Sequence, residues 1–133
     1  MNQISPYLTF NGNCRQAMTF YQKCLGGELL FQTVGETLAT EKMPKKMKNC
    51  ILHAILTHGH LIIMGSDLVN EEVIKGNAVS LSLNCCSKKQ ITLYFKKLAK
   101  GGVISQALLN NSSGGVFGTI TDKFGNHWIL NYK

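Results

Sequence analysis

The sequence predicts an α+β fold, with two βαβββ modules in a single domain spanning 1–133. Three observations carry that prediction. Short runs of β-formers, bounded by Gly, Asn and Pro, are interrupted twice by a stripe of helical period. Each stripe stops at a glycine pair, Gly26-Gly27 and Gly101-Gly102. The order of elements in the first half then recurs about 75 residues later. Laying one glycine pair on the other brings Phe20 onto Phe95 and Leu8 onto Leu83.

Residues 4–10 (ISPYLTF) read as the first strand, ending at Asn11-Gly12-Asn13, a turn and helix-start signal. The spacing of Cys14, Ala17, Met18, Tyr21 and Leu25 predicts a helix over 13–25. Asn13 and Gln16 stand where a capping box would place them. Residues 28–35, 49–57 and 60–66 complete the module as strands, the last two forming a hairpin at His58-Gly59. The stretch 36–48, with lysines from Lys42 to Lys48, reads as a loop, and 67–77 as a second, polar one. In 78–84, Val79, Leu81 and Leu83 alternate with Ala78, Ser80, Ser82 and Asn84, which directs the apolar set at a helix. That helix is expected over 87–99, with Ile91, Tyr94, Phe95 and Leu98 inward and Ser87 and Gln90 as its capping box. Strands at 103–109, 114–122 and 126–132 close the second module, with a turn at Phe124-Gly125. The modules fall at about 1–67 and 76–133. Val79, Leu81, Leu83, Phe20, Tyr21, Phe95, Leu98 and Trp128 are the expected core.

Two such modules side by side make one curved, eight-stranded mixed sheet with both helices on its convex face. The concave face is left to hold a ligand. Strand edges left open by this arrangement are a liability that proteins cover, and a twofold pair of chains is the commonest cover. A homodimer is therefore expected, with the long loop 36–48 reaching the neighbour or the pocket rim.

Composition limits the function classes. Hydrophobic residues at 44% and charged residues at 16% supply a core and argue against disorder. The opening MNQISPY has no basic and apolar leader pattern, and runs such as Leu61-Ile62-Ile63-Met64 are too short for the roughly 18 residues of a membrane span. The expectation is a cytoplasmic chain with no membrane partner. The net charge is +7, yet Arg15 is the one arginine. Sequence-reading nucleic-acid proteins lean on arginine, so no specific nucleic-acid partner is expected. The lysines serve solubility, or attract an anionic small molecule or a polyanion weakly. Five cysteines, an odd count with no C-x-x-C, read as reduced thiols.

The stretches PYLTFNGNCRQAMTFYQKCLGGELL (6–30), HAILTHGHLIIMGSD (53–67) and DKFGNHWILNY (122–132) resemble the PhnB-like branch of the glyoxalase/bleomycin-resistance/dioxygenase group, the vicinal oxygen chelate superfamily. The resemblance spans essentially the whole chain and implies the doubled βαβββ fold. It does not imply one reaction, because the superfamily holds isomerases, dioxygenases, thiol transferases and non-catalytic binding proteins. Members of the branch often carry a ubiquinone-methyltransferase label. No Gly-rich strand-to-helix loop of the kind that seats S-adenosylmethionine in doubly wound enzymes occurs here, which argues against that label.

The resemblance also implies a place for a divalent metal, held by His and Glu from the first and last strand of each half. The strands 4–10 and 78–84 contain no His, Glu, Asp or Cys. No metal and no other cofactor is therefore expected. The residues expected to line the pocket are His53, Ser66, Ser80, Ser82, His127 and Asn131. His53 is either a hydrogen-bonded histidine on a strand face or a ligand contact or base. The expected function is binding of a small, neutral or anionic molecule in the concave pocket without a superfamily-type metal. The alternative is an enzyme of the same fold with an atypical site. The charge argues against a cationic ligand.

Overall fold

The computed structural model describes residues 2–33, 49–67 and 72–133. The expected lysine-bearing loop 36–48 and part of the loop 67–77 lie outside the described residues. The chain divides into two compact units, Met1–Ile74 and Lys75–Lys133.

The first unit contains β1 (Tyr7–Phe10), α1 (Cys14–Leu25), β2 (Glu28–Thr33), β3 (Ile51–His58) and β4 (Leu61–Asp67). Its strands are ordered β1-β4-β3-β2. β1 runs parallel to β4, and the other pairs are antiparallel. The helix forms because its apolar stripe has somewhere to go. Cys14, Ala17, Met18 and Tyr21 are fully buried, as are Ala54 and Leu56 of β3. Burial of that kind stabilises by roughly 25 cal/mol per Å² of apolar surface.

The second unit repeats the plan with β5 (Leu81–Asn84), α2 (Lys88–Ala99), β6 (Val103–Asn110), β7 (Val116–Thr121) and β8 (His127–Tyr132). The order is β5-β8-β7-β6, again with one parallel pair, β5 and β8. The described residues thus form the expected two helices and eight strands of an α+β fold, and the strands pair as two four-stranded mixed sheets where the sequence reading drew one curved sheet of eight. In this unit Ile91, Leu98, Ile120 and Leu130 are buried to within 1%. Trp128 and Phe95 are nearly so.

The glycine pairs explain why the repeat is visible in the sequence. A Cβ on Gly27 would collide with the carbonyl oxygen of Thr57 at the end of β3. A Cβ on Gly102 would collide with the carbonyl oxygen of Thr121 at the end of β7. Each helix therefore ends where its backbone presses on the outgoing hairpin strand, and only glycine fits there.

Five local expectations fail. Val79 is 76% exposed and lies ahead of β5, which begins only at Leu81. Leu81 and Leu83 pair with Trp128 and Leu130, so they take the inward face, but they are half-buried. Phe20 is half-buried too, beside the fully buried Tyr21. Strict alternation along the expected strand 49–57 puts Leu52 on the face of Ala54 and Leu56. Thr33 pairs with Ile51 and Gln32 with His53, so Leu52 is an extra residue in a bulge. The bulge turns Ile51 inward, with 1% exposure, and leaves Leu52 37% exposed. The Asn13–Gln16 capping box is absent as well, since the Asn13 side chain makes no capping bond. Asp67, at the end of β4, does that work with Oδ1, which accepts from the Cys14 N–H at 2.9 Å. Ser87 does cap α2, its hydroxyl accepting from the Gln90 N–H at 3.0 Å, while Gln90 Oε1 accepts from Cys86 N–H at 2.7 Å.

The turn between β7 and β8 is built on Asp122, which is 3% exposed. Its Oδ1 accepts from the Phe124 and Asn126 N–H groups, and its Oδ2 from Trp128 Nε1 at 2.8 Å. Asp122→Ala strands three donors, the indole among them in the core. We expect a loss of about 2–3 kcal/mol, read by denaturant unfolding followed through the fluorescence of Trp128. A loss below about 0.5 kcal/mol would show the turn to be indifferent to this carboxylate.

Candidate functional site

Each helix covers one face of its own sheet. The pairing register then states which residues stand on the other, free face. In the first unit Tyr7 pairs with Met64 and Met64 with Ile55, Thr9 pairs with Ser66, and Gln32 pairs with His53. These residues alternate with Leu8, Phe10, Ala54, Leu56 and Gly65, which pack toward α1. The free face therefore brings together two of the expected residues, His53 and Ser66. It adds Tyr7, which the sequence reading did not single out. The signal was present: in Tyr7-Leu8-Thr9-Phe10 the two amphipathic residues alternate with the two apolar ones.

Tyr7 and His53 reach each other across β4. The Tyr7 hydroxyl lies 3.3 Å from His53 Nδ1. The rings stack with centroids 5.8 Å apart and planes 29° from parallel. Tyr7 is 49% exposed and His53 half-buried. Among the described residues Tyr7 is the hydrogen-bond partner of the His53 ring, at Nδ1.

In the second unit the free face carries Ser82 and Asn84 of β5, His127, Ile129 and Asn131 of β8, and Phe117, Thr119 and Thr121 of β7. Ser82, His127 and Asn131 thus share one face. Ser80 precedes β5 and is exposed. His127 is held at both nitrogens. Its Nε2 lies 3.0 Å from the Gly76 carbonyl oxygen, and its Nδ1 lies 2.9 Å from the Thr121 hydroxyl. A carbonyl only accepts, so Nε2 carries a proton, and in the neutral ring Nδ1 accepts from Thr121. Asn131 Nδ2 donates to Asn84 Oδ1 at 3.3 Å. These two amides line a shallow depression of about 280 Å³ with Cys85, Cys86, Tyr132 and Lys133.

A superfamily-type metal centre draws on free-face positions of the first and last strand of each half. In the described residues those positions are Tyr7 and Thr9, Ile62, Met64 and Ser66, Ser82 and Asn84, and His127, Ile129 and Asn131. His127 is the lone imidazole among them, and both its nitrogens are engaged. No three His, Cys, Asp or Glu side chains converge among the described residues. This donor set does not fit the group.

Over residues 2–131 the chain matches the model of a family described as 3-demethylubiquinone-9 3-methyltransferase. The chain belongs to this PhnB-like family. Protein YjdN of Escherichia coli K12 is 31% identical, with 96% of this chain and 93% of YjdN aligned. Among solved structures, protein PA1353 from Pseudomonas aeruginosa is 35% identical and superposes with a TM-score of 0.86, over 100% of this PhnB-like chain and 98% of its own. A PhnB protein from Bacillus cereus is 26% identical with a TM-score of 0.79, covering 99% and 100%. A glyoxalase/bleomycin resistance protein/dioxygenase family enzyme from Burkholderia phytofirmans, 14% identical with a TM-score of 0.66 over 96% and 95%, shares the fold.

Asp67 ties three elements of the first unit. It ends β4, accepts from the first N–H of α1, and accepts with Oδ2 from the Ile51 N–H at 2.8 Å. Cys14 sits at that junction. Burial first, and then the negative charge of Asp67, push its thiol up from 9.0 to about 12, while Arg15 pulls the other way. Below pH 9 both folded and unfolded chains hold this proton. Between pH 9 and 12 the unfolded chain releases it and the folded chain does not, so folding stability drains away as pH rises. The stability gap between wild type and Cys14→Ala should narrow across that window in denaturant titrations. A gap unchanged between pH 8 and pH 11 would contradict the assignment.

Proposed function

We propose that this PhnB-like chain binds a small, neutral or anionic molecule in a pocket whose wall is the free face of the first sheet. The observation that carries the reading is the difference between two histidines. His127 is tied at both ring nitrogens. His53 meets the Tyr7 hydroxyl at Nδ1, and Ser66, Thr9 and Gln32 share its sheet face. An imidazole held on one side and open on the other is a directed hydrogen-bonding group. Met64 and Ile55 between these polar groups supply the apolar floor that small-molecule sites use. Ser82 and Asn131 are secondary candidates on the free face of the second sheet. The net charge of +7 favours neutral or anionic molecules over cationic ones.

The family's description names a methyl transfer. Doubly wound folds seat a nucleotide at a strand-to-helix turn. Here the corresponding turn, 11–13, is closed by the Asp67 carboxylate on the Cys14 N–H, which favours binding over methyl transfer as the reading. The Tyr7–His53 pair also supports a second reading, an enzyme that uses His53 as base or acid, because a hydroxyl on Nδ1 fixes the ring for proton exchange at Nε2.

A homodimer belongs to the same proposal. β6 is an edge strand of its sheet and exposes Val103, Ile104 and Leu109 by 66%, 51% and 51%. A second chain would cover them. Among the described residues no helix is long and apolar enough to cross a membrane, and all five cysteines are free thiols, which supports a cytoplasmic setting.

A thermal-shift screen with neutral and anionic compounds should yield ligands that raise the melting temperature. Tyr7→Phe and His53→Ala should each weaken binding of those ligands by about tenfold, equivalent to about 1.4 kcal/mol, with the unliganded melting temperature unchanged. Affinity unchanged in both variants would remove the free face from the site. In sedimentation equilibrium the chain should run at twice 14.7 kDa. A single species at 14.7 kDa that persists on concentrating would rule out the dimer.

A further inference from the structure

The charge of the chain is segregated between its two units. Lys75–Lys133 holds eight lysines and a single acid, Asp122. Met1–Ile74 holds six basic and six acidic residues. The whole net charge of +7 therefore belongs to the second module, and the first sums to zero. Asp122 is buried in the β7–β8 turn, holds the Phe124, Asn126 and Trp128 N–H groups and acts on Lys75, so it is not an acid of the helix that carries most of these lysines.

The lysines of the second module are concentrated on one element. The solvent side of α2 is Lys88, Lys89, Thr92, Leu93, Lys96 and Lys97, all exposed, and Lys100 continues it at the C-terminal cap. The inward side, Ile91, Phe95 and Leu98, is filled by the sheet. Lys96 and Lys97 stand in the last turn, where the dipole favours a cation, but the other half of the stripe works against the helix. Lys88 and Lys89 sit in a first turn that has no acid, at the positive end of the helix dipole. Lys96 and Lys100 are like charges four apart, an arrangement that destabilises helices. Mixed charges would keep the surface as soluble at no such cost. A one-sign stripe is the form that long-range recognition of a polyanion takes, and charge asymmetry between halves of a chain is its sequence sign.

We propose that the outer face of α2 is a docking surface for the phosphate backbone of duplex DNA, without sequence preference. From Lys88 to Lys97 the helix rises roughly 14 Å. Counting both strands, a duplex carries a phosphate about every 1.7 Å of its axis, about eight over that length, and about half of them face one side, which sets about four phosphates against the four helical lysines. The charged residues of the stripe are all lysine, with no arginine and no exposed aromatic side chain among its residues, which gives backbone contact without base reading. A lipid surface fits less well. Leu93, 46% exposed, is the one large apolar side chain on the stripe, too little to enter a bilayer. A second copy fits less well again: among its described residues Glu28 and Glu72 are the exposed acids, two against the four lysines of the helix. The site lies on the helix side of its sheet, opposite the free face, and is independent of the ligand reading above.

The test is fluorescence anisotropy with a labelled 20-base-pair duplex of arbitrary sequence, titrated at several salt concentrations. For the full chain, log Kobs against log salt should fall with a slope of about −4, as release of counterions from about four phosphates requires. A second duplex of unrelated sequence should give the same line. The variant carrying Lys88→Gln, Lys89→Gln, Lys96→Gln and Lys97→Gln should lose most of that slope and bind at least tenfold more weakly at low salt, with a melting temperature no lower than wild type. Should the fourfold variant fail to fold, the pairs Lys88→Gln/Lys89→Gln and Lys96→Gln/Lys97→Gln should each lower the slope by about half. Lys23→Gln, in the neutral module, should change neither quantity. Salt-independent binding, equal binding by folded wild type and the variants, or binding to vesicles of anionic phospholipid with none to the duplex would each overturn the proposal.

Discussion

The Asp67 carboxylate is the constraint on which the first module depends. Its two oxygens take the first N–H of α1 and the first N–H of β3, while its backbone pairs with Phe10 at the end of β1. One side chain thus fixes where the helix starts, where the hairpin begins and how far β1 runs along β4. The orientation of the free face follows from that register. With β1 pinned against β4, Tyr7 falls beside Met64 and reaches the His53 ring over the intervening strand. A slip of one residue would exchange Tyr7 and Thr9 for Leu8 and Phe10 and send the polar pair into the core.

The second module solves the same problem with Asp122 in the β7–β8 turn, where the carboxylate anchors the turn and the indole of Trp128 together. That anchor sets the phase of β8. Trp128 and Leu130 go inward, and His127, Ile129 and Asn131 go outward. The outward residues are then largely satisfied by neighbours within the module. This asymmetry, a histidine bonded at both ring nitrogens in one module and, among the described residues, at one in the other, is why the proposal favours the first sheet despite the repeat.

Much of this was legible in the sequence because it rests on local periodicity. The two helical stripes, the hairpins and the glycine stops announce themselves over a few residues, and Gly27 and Gly102 could be nothing else at their contacts. The misses are all long-range. The Leu52 bulge depends on how β2 and β3 pair, which strict alternation along one strand cannot show. The cap of α1 comes from Asp67, distant in sequence, in place of the neighbouring Asn13. Val79 continues the alternation of 78–84, yet strand pairing begins only at Leu81, so its apolar character is left outside the sheet. Of the site, His53 and Ser66 were readable as free-face residues. The partner that orients His53 was not, since Tyr7 becomes a site residue only when β1 is laid beside β4.

The measurement that tests the central claim most directly is side-chain NMR of the histidine rings during addition of a ligand that stabilises the fold. The account predicts that the His53 ring signals, and the Tyr7 ring signals with them, move in step with ligand concentration, while those of His127, already bonded to Gly76 and Thr121, stay in place. Movement centred on His127 and Asn131 with His53 unaffected would contradict it.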